Sequence, residues 1–110
     1  MHRGTSAGLG MAMALAALAL RRELQPNVLV TGEVDLRGRV HEIGDVLLKV
    51  DAGRRRGMSK VLVPHENFMG IDLAADLEGQ DELRAYLVAH VQPVKDLAEA
   101  LSHALQGACR

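Results

Sequence analysis

Residues 28–63 read VLVTGEVDLRGRVHEIGDVLLKVDAGRRRGMSKVLV, and the order of strands and helix within this segment indicates the fold class. It opens on the short β-branched run Val28–Val30 and closes on a second such run, Lys60–Val63. Between them, segment 34–40 carries apolar residues at even spacing around Gly38. This pattern is typical of a strand with one apolar face that turns back in a hairpin.

A helix is predicted between the hairpin and the second strand. It runs from Val46 to about Arg56, with Asp45 as a plausible N-cap and Gly57 as its stop. Strands that alternate with helices are typical of crossover units, in which neighbouring strands are parallel. The sequence after Gly44 therefore predicts a partly parallel sheet.

The N-terminal segment Ala7–Leu20 consists almost entirely of Ala, Leu and Met, with Thr5 or Ser6 as a natural N-cap. A helix that is apolar all round is expected to be buried on most faces. The run is too short to span a bilayer, and more positive charge follows it than precedes it. A buried helix is therefore preferred to a signal-peptide core.

The C-terminal part completes the prediction. Residues Asn67–Leu77 are expected to be helical or irregular, Arg84–Val88 to form a last strand, and Val94–Leu105 to form an amphipathic helix. No repeat or linker interrupts the sequence. We therefore predict one α+β unit over residues 1–110, a partly parallel mixed sheet with flanking helices.

Composition excludes several function classes. Aromatic residues make up only 2% of the chain and the net charge is −1, which argues against binding to single-stranded nucleic acid and to acidic membranes. The single cysteine, Cys109, has no partner for an internal disulfide. No metal-ligand spacing is present, and no motif supports a Ser6–His41–Asp triad. His65, His90 and His103 also carry no predicted role.

Ser6 lies in the segment Gly4–Gly8, whose small residues leave the backbone open to a substrate. A nucleophile needs a hydroxyl, a base within reach and donors for the oxyanion. The helix that follows would supply free N–H groups at its start. Taken alone the pattern is a weak signal, because a serine before a helix is far more often an N-cap than a nucleophile.

Lys49 lies in the predicted helix 46–56 among apolar neighbours. Burial among such neighbours would favour the neutral amine that a general base needs. The alternative is a surface lysine whose aliphatic stem covers an apolar face while the ammonium group stays in water.

Together these segments resemble the C-terminal half of the proteolytic domain of Lon-type ATP-dependent serine proteases. Thr5-Ser6-Ala7-Gly8 resembles the family's Pro-Ser-Ala-Gly nucleophile motif. The block from Thr31 to Gly44 is the most specific part, and it leads to Lys49 at the family's catalytic-lysine position. Segment 61–67 resembles the strand and turn that follow the lysine-bearing helix in the family, and segment 89–105 resembles the family's closing strand and helix. The resemblance therefore runs from Gly4 to Leu105.

The resemblance implies a function and a set of residue roles. Ser6 would attack the peptide carbonyl, Lys49 would take its proton, and the Thr31 hydroxyl would help to hold the lysine. The whole protein would be an endopeptidase acting on unfolded or misfolded polypeptides, assembled as a homo-oligomeric hexameric ring. This segment would bind no cofactor, while ATP and Mg would belong to an upstream ATPase module. The expected compartment is the cytoplasm, or the mitochondrial matrix or peroxisome in a eukaryote.

Three departures from the family pattern leave a second hypothesis open. Thr5 replaces the family's Pro, and Asp45 replaces the second Gly of a Gly-Gly pair. A carboxylate at Asp45 could pair with Lys49, one helical turn later, and would then favour the charged amine. The strands that precede the nucleophile in the family are also expected to be missing, so the segment alone is expected to be inactive. The alternative function is a non-cleaving Lon-like interaction or assembly module.

Overall fold

The structure is a computed structural model that describes the backbone of residues 6–106 and the side chains of residues 8–106. Thr5 and Cys109 lie outside the described residues. The elements in chain order are β1 (Ser6–Gly8), α1 (Leu9–Leu20), β2 (Val28–Val30), β3 (Glu33–Asp35), β4 (Val40–His41), α2 (Val46–Arg55), β5 (Lys60–Pro64), α3 (His65–Met69), α4 (Leu73–Asp76), α5 (Asp81–His90), β6 (Val91–Val94) and α6 (Leu97–Ala104).

The strands form two three-stranded sheets. In the first, β3 lies between β1 and β4 and pairs antiparallel with both. In the second, β5 lies between β2 and β6 and pairs parallel with both. The predicted α+β class with a partly parallel arrangement is confirmed, although the parallel and antiparallel strands belong to separate sheets.

The central strand β5 is the most buried element of the chain. Val61, Leu62 and Val63 are all fully buried, because helices cover both faces of the parallel sheet. Leu62 faces a core that contains Leu9 and Met13 of α1, whereas Val61 and Val63 face a second core under α2 and α5. The predicted strand at this position is confirmed, and its continuous apolar run is explained by burial on both sides.

Helix α1 differs from its prediction in two respects. It begins at Leu9 with Gly8 as the N-cap residue, and Ser6 lies in β1, so the expected Thr5 or Ser6 cap is wrong. The backbone N–H of Leu9 instead donates to the carbonyl of Gly32, at 2.9 Å. Neighbouring elements hold this junction in place of a capping side chain.

The expected burial of α1 on most faces is also wrong for the described chain. Leu9, Met13 and Ala17 are buried against α6 and the sheets. On the other side of the helix, Leu15 is 62% exposed and Leu18 is 75% exposed. The described residues cover one stripe of an apolar helix and leave the opposite stripe in water.

The predicted strand Arg84–Val88 is wrong, because these residues lie within α5. Leu83 and Leu87 stand one helical turn apart and are both buried, while Asp81 and Glu82 favour the helix start. The strand is the next segment, Val91–Val94, at an edge of the parallel sheet.

Helix α6 accordingly begins at Leu97 and not at Val94, and the Asp96 side chain accepts a hydrogen bond from the backbone N–H of Glu99. Within residues 6–106, no helix has the length and apolar character needed to cross a membrane.

Candidate active site

Ser6 lies in β1, immediately before the turn into α1. Its register partner in β3 is Asp35, and the next two pairs are Ala7 with Val34 and Gly8 with Glu33. The Ser6 side chain lies outside the described residues. The first N–H groups of an α-helix have no acceptor within the helix, so the start of α1 provides donors close in sequence to Ser6. One of them, the N–H of Leu9, is already used by Gly32.

Thr31 is the one polar residue in the buried set of the described chain, with 7% exposure. Its hydroxyl donates to the carbonyl of Leu62 at 2.9 Å, and its backbone N–H donates to the same oxygen at 3.0 Å. A hydroxyl oxygen that has donated its hydrogen keeps lone pairs that can accept from an ammonium group. Thr31 is therefore fixed on β5 and retains the capacity that the resemblance assigns to it.

Gly32 connects the two sheets and lies next to the nucleophile segment. It adopts φ +116°, a backbone conformation that favours glycine. A Cβ atom here would lie 3.1 Å from Cγ of Pro64 and 3.2 Å from Cγ1 of Val40. Its carbonyl accepts from the first residue of α1. At this tight crossing the end of β2 lies next to the start of α1. The segment that contains Thr31 is thereby close to the segment that contains Ser6.

Lys49 lies on the outer face of α2. Val50 and Gly53 form the buried face of this helix, whereas Leu48 and Lys49 are exposed. No hydrogen bond or ion pair among the described residues joins the Lys49 side chain to Thr31.

Asp45 occupies the N-cap position of α2 in the left-handed conformation, with φ 54° and ψ 46°. Its side chain makes no cap hydrogen bond, because a capping side chain reaches the N2 or N3 amide from a β-region backbone. Nor is there an Asp45–Lys49 ion pair between these two described residues. The predicted N-cap position of Asp45 is confirmed, but among the described residues its carboxylate makes neither the capping hydrogen bond nor the ion pair with Lys49. The conformation is one that a glycine adopts readily.

Asn67 was not singled out as a site residue, yet it fixes the turn that leads into α2. Its Nδ2 donates to the carbonyl of Ile43 and its Oδ1 accepts from the backbone N–H of Ile43, both at 2.8 Å. A side-chain amide carries a donor and an acceptor, so it can satisfy both backbone groups of one residue. The only sequence signal was its place directly after the β5 strand and turn.

A carboxylate–imidazole pair was also missed. Nε2 of His41 lies 2.7 Å from Oδ2 of Asp35, while Oδ1 of Asp35 accepts from the backbone N–H groups of Arg37 and Arg39. The hydrogen bond from His41 and these backbone donors lower the pKa of the Asp35 carboxyl to about 2. The register places Asp35 opposite Ser6, whereas a Ser–His–Asp triad needs the histidine between the other two.

Among residues 8–106, no group of three or more His, Cys, Asp or Glu side chains is arranged to hold a metal ion.

Comparison with known proteins gives one consistent result. A family model described as Lon protease (S16) C-terminal proteolytic domain matches residues 2–107. Lon protease of Frankia alni is 42% identical over 86% of this chain, and Lon protease 2 of Syntrophobacter fumaroxidans is 37% identical over 87% of it. Lon protease of Mycolicibacterium smegmatis is 38% identical over 96% of this chain. The chain spans only 11–13% of the length of these curated relatives. On the match over residues 2–107, this chain belongs to the family of Lon protease C-terminal proteolytic domains.

Proposed function

We propose that this chain carries the catalytic dyad of an ATP-dependent serine endopeptidase, with Ser6 as the nucleophile and Lys49 as the general base. The observation that carries the proposal is the position of Ser6 on a strand that ends where α1 begins, within a chain of the Lon proteolytic family. Peptide carbonyl groups develop negative charge on attack, and helix N-termini stabilise such charge.

The proposed reaction follows from the groups present. The Oγ of Ser6 would attack the carbonyl carbon of the substrate while its proton passes to a neutral Lys49 amine. The tetrahedral intermediate would collapse with cleavage of the C–N bond, and the lysine would return the proton to the leaving amine. Water would then hydrolyse the acyl-enzyme ester by the same route. Thr31 would orient the lysine by accepting a hydrogen bond at its buried hydroxyl oxygen.

A covering surface is required by this mechanism. A general base must be a neutral amine, a form that burial favours, whereas Lys49 is exposed in the described chain. A further part of the protein, or a neighbouring subunit, would therefore cover the outer face of α2. We propose a homo-oligomer, in line with the hexameric ring that the resemblance implies, acting on unfolded polypeptides in the cytoplasm. ATP and Mg would be used by a separate ATPase module.

A covalent probe tests these roles directly. A peptidyl β-lactone acylates an activated serine: the hydroxyl attacks the ring carbonyl, the ring C–O bond breaks, and the ring oxygen takes the proton. After incubation of the full-length protein, peptide mass spectrometry should locate the adduct on Ser6. Lys49→Gln should slow acylation by at least about 100-fold, as expected for loss of a general base.

Matched controls separate the proposed dyad from other residues of the same types. Ser102 and Lys95 are exposed, as Lys49 is, so Ser102→Ala and Lys95→Gln should react as the wild type does. An adduct on a serine other than Ser6 would contradict the proposal.

The second candidate function is a non-cleaving assembly module. Two observations favour it: the exposure of Lys49 and the aspartate in left-handed conformation at the start of its helix. A full-length protein that assembles normally but gives no adduct and cleaves no unfolded substrate would establish this alternative.

A further inference from the structure

The outer face of the antiparallel sheet carries an unusual pairing of Asp35 with His41. Side chains alternate along a strand, and Val34 points into the core, so Glu33 and Asp35 lie on the opposite face. His41 is the register partner of Glu33, yet its Nε2 contacts Oδ2 of Asp35, at 2.7 Å. The contact therefore runs diagonally across β3 and β4, a geometry that longer side chains can reach.

The Asp35 carboxylate holds the whole hairpin. One oxygen accepts from two backbone N–H groups of the turn, those of Arg37 at 2.8 Å and Arg39 at 3.1 Å. The other oxygen accepts from His41, at the end of β4. A carboxylate with hydrogen bonds to both the turn and the returning strand restricts the backbone of β3 at Asp35 itself.

The far side of the hairpin is tied to the rest of the domain. The N–H of Val40 donates to the carbonyl of Lys95, and the N–H of Leu97 donates to the carbonyl of Gly38, both at 2.8 Å. These bonds connect the turn to the segment between β6 and α6. The hairpin is thus held from outside by these two bonds to the C-terminal part of the fold, and from within by the Asp35–His41 pair.

Strand β1 depends on this hairpin for its position. Within the described residues β1 pairs with β3 and with no other strand, and Ser6 stands opposite Asp35. The strand is three residues long, so a shift of β3 at Asp35 would move the backbone of Ser6 with it. A displacement of about 1 Å at a reacting group is enough to cost about 100-fold in rate.

We propose that Asp35 and His41 are positioning residues for the nucleophile, acting through strand β3, an inference that rests on the proposed role of Ser6. Neither residue exchanges a proton with the substrate. Their hydrogen bond keeps Asp35 at the register position that sets the Ser6 backbone, and with it the direction of attack on the peptide carbonyl.

The test compares variants at His41, which is 55% exposed, so that its replacement leaves the core intact. His41→Ala removes the hydrogen bond to Asp35, whereas His41→Gln keeps an N–H donor. In the full-length protein, His41→Ala should lower the rate of β-lactone acylation and kcat for peptide cleavage by about 10- to 100-fold. KM should stay within about two-fold of wild type, and His41→Gln should recover most of the loss.

Asp35→Ala should give the same kinetic change as His41→Ala. The control is Asp72, the aspartate that caps helix α4. Asp72 also accepts hydrogen bonds from two backbone N–H groups, those of Ala74 and Ala75, so Asp72→Ala removes comparable turn chemistry elsewhere. Its acylation rate should equal that of the wild type.

Each outcome has one interpretation. Wild-type acylation and kcat in His41→Ala overturn the positioning role, as does a His41→Gln variant as slow as His41→Ala. If Ser6→Ala still forms the β-lactone adduct at the wild-type rate, the proposed function itself is wrong, and this failure is distinct from the first.

Discussion

Replacement of Asn67 should loosen the turn that sets the start of α2. Asn67→Ala removes both hydrogen bonds to the backbone of Ile43, each 2.8 Å long. A hydrogen bond of this kind contributes about 0.5–1.5 kcal/mol, so their combined loss should lower the free energy of local opening by about 1–3 kcal/mol. A difference of 1.4 kcal/mol is tenfold in an equilibrium constant, so amide exchange at Ile43 should accelerate by about 5- to 150-fold.

Hydrogen exchange of the full-length protein, resolved to the Ile43 amide, measures this change. Asn67→Asp supplies an internal control, because it keeps the acceptor for the Ile43 N–H and loses the donor to the Ile43 carbonyl. The bond from the Ile43 N–H should survive, but a carboxylate oxygen would face the Ile43 carbonyl oxygen where the amide nitrogen stood, so part of the protection at Ile43 should be lost. Gln92→Ala is the matched amide control, since Gln92 is also half-buried and makes a single long bond of 3.4 Å to its neighbour Pro93. Its exchange pattern at Ile43 should match the wild type.

The turn at Ile43 also bears on the proposed chemistry. Ile43 lies just before the helix that carries Lys49, so a looser turn should reduce acylation of Ser6 by the β-lactone. Unchanged exchange at Ile43 in Asn67→Ala would refute the account, because the two hydrogen bonds would then contribute nothing to holding the turn.

Two further substitutions, one with a matched control, and one pH titration test separate parts of the structure. A Cβ at Gly53 would lie 2.7 Å from Cγ2 of Val61, so Gly53→Ala should destabilise the packing of α2 on β5 by about 1–3 kcal/mol. Gly10→Ala is the matched control in a helix, because its Cβ would meet only one contact, at 3.9 Å, and the substitution should raise the free energy of unfolding by about 0.5–1 kcal/mol. If hydrogen exchange showed the same change in stability for both variants, the close contact of Gly53 with Val61 would be contradicted. Asp45→Gly should leave the free energy of unfolding unchanged or raise it by up to about 1 kcal/mol, because relief of the left-handed conformation opposes the entropy of the added glycine. A loss of about 1 kcal/mol in thermal or chemical unfolding would show that the carboxylate caps α2 after all. In a titration followed by carbon NMR, the pKa of the Asp35 carboxyl should be about 2. Because this folded-state pKa lies below the ordinary value, the carboxylate should contribute its full stabilisation above about pH 4 and lose it as the pH falls towards 2. A midpoint near the ordinary value of 3.8 would contradict the hydrogen bond from His41.

Local pattern predicted the elements where one signal dominated. The run at β5 and the helix Val46–Arg55 between glycine-bounded turns were both placed within a residue or two, because hydrophobic spacing and helix stops agreed there. The strand at Arg84–Val88 failed because Leu83 and Leu87 follow a helical period that a short window does not separate from alternation.

The arrangement of the site depended on contacts that are distant in sequence. The sequence spacing does not predict the hydrogen bond between Asn67 and Ile43, or the one between Asp35 and His41. Each pair forms only because two elements of the fold come into contact. The conformation of Asp45 was equally hidden, since an aspartate before a helix usually caps it. The family resemblance supplied the candidate residues, including Thr31 as the partner of Lys49, whereas the hydrogen bonds of Asn67 to Ile43 and of His41 to Asp35 could not be predicted.

Steady-state cleavage of an unfolded protein by the full-length protein, in the presence of ATP and Mg, tests whether Ser6 is the nucleophile. Wild-type protein should degrade the substrate, and Ser6→Ala should abolish degradation while sedimentation shows the same assembly. Loss of cleavage with assembly intact would place Ser6 in the chemistry. Cleavage by Ser6→Ala within a few-fold of the wild-type rate would remove Ser6 from the mechanism and contradict the account.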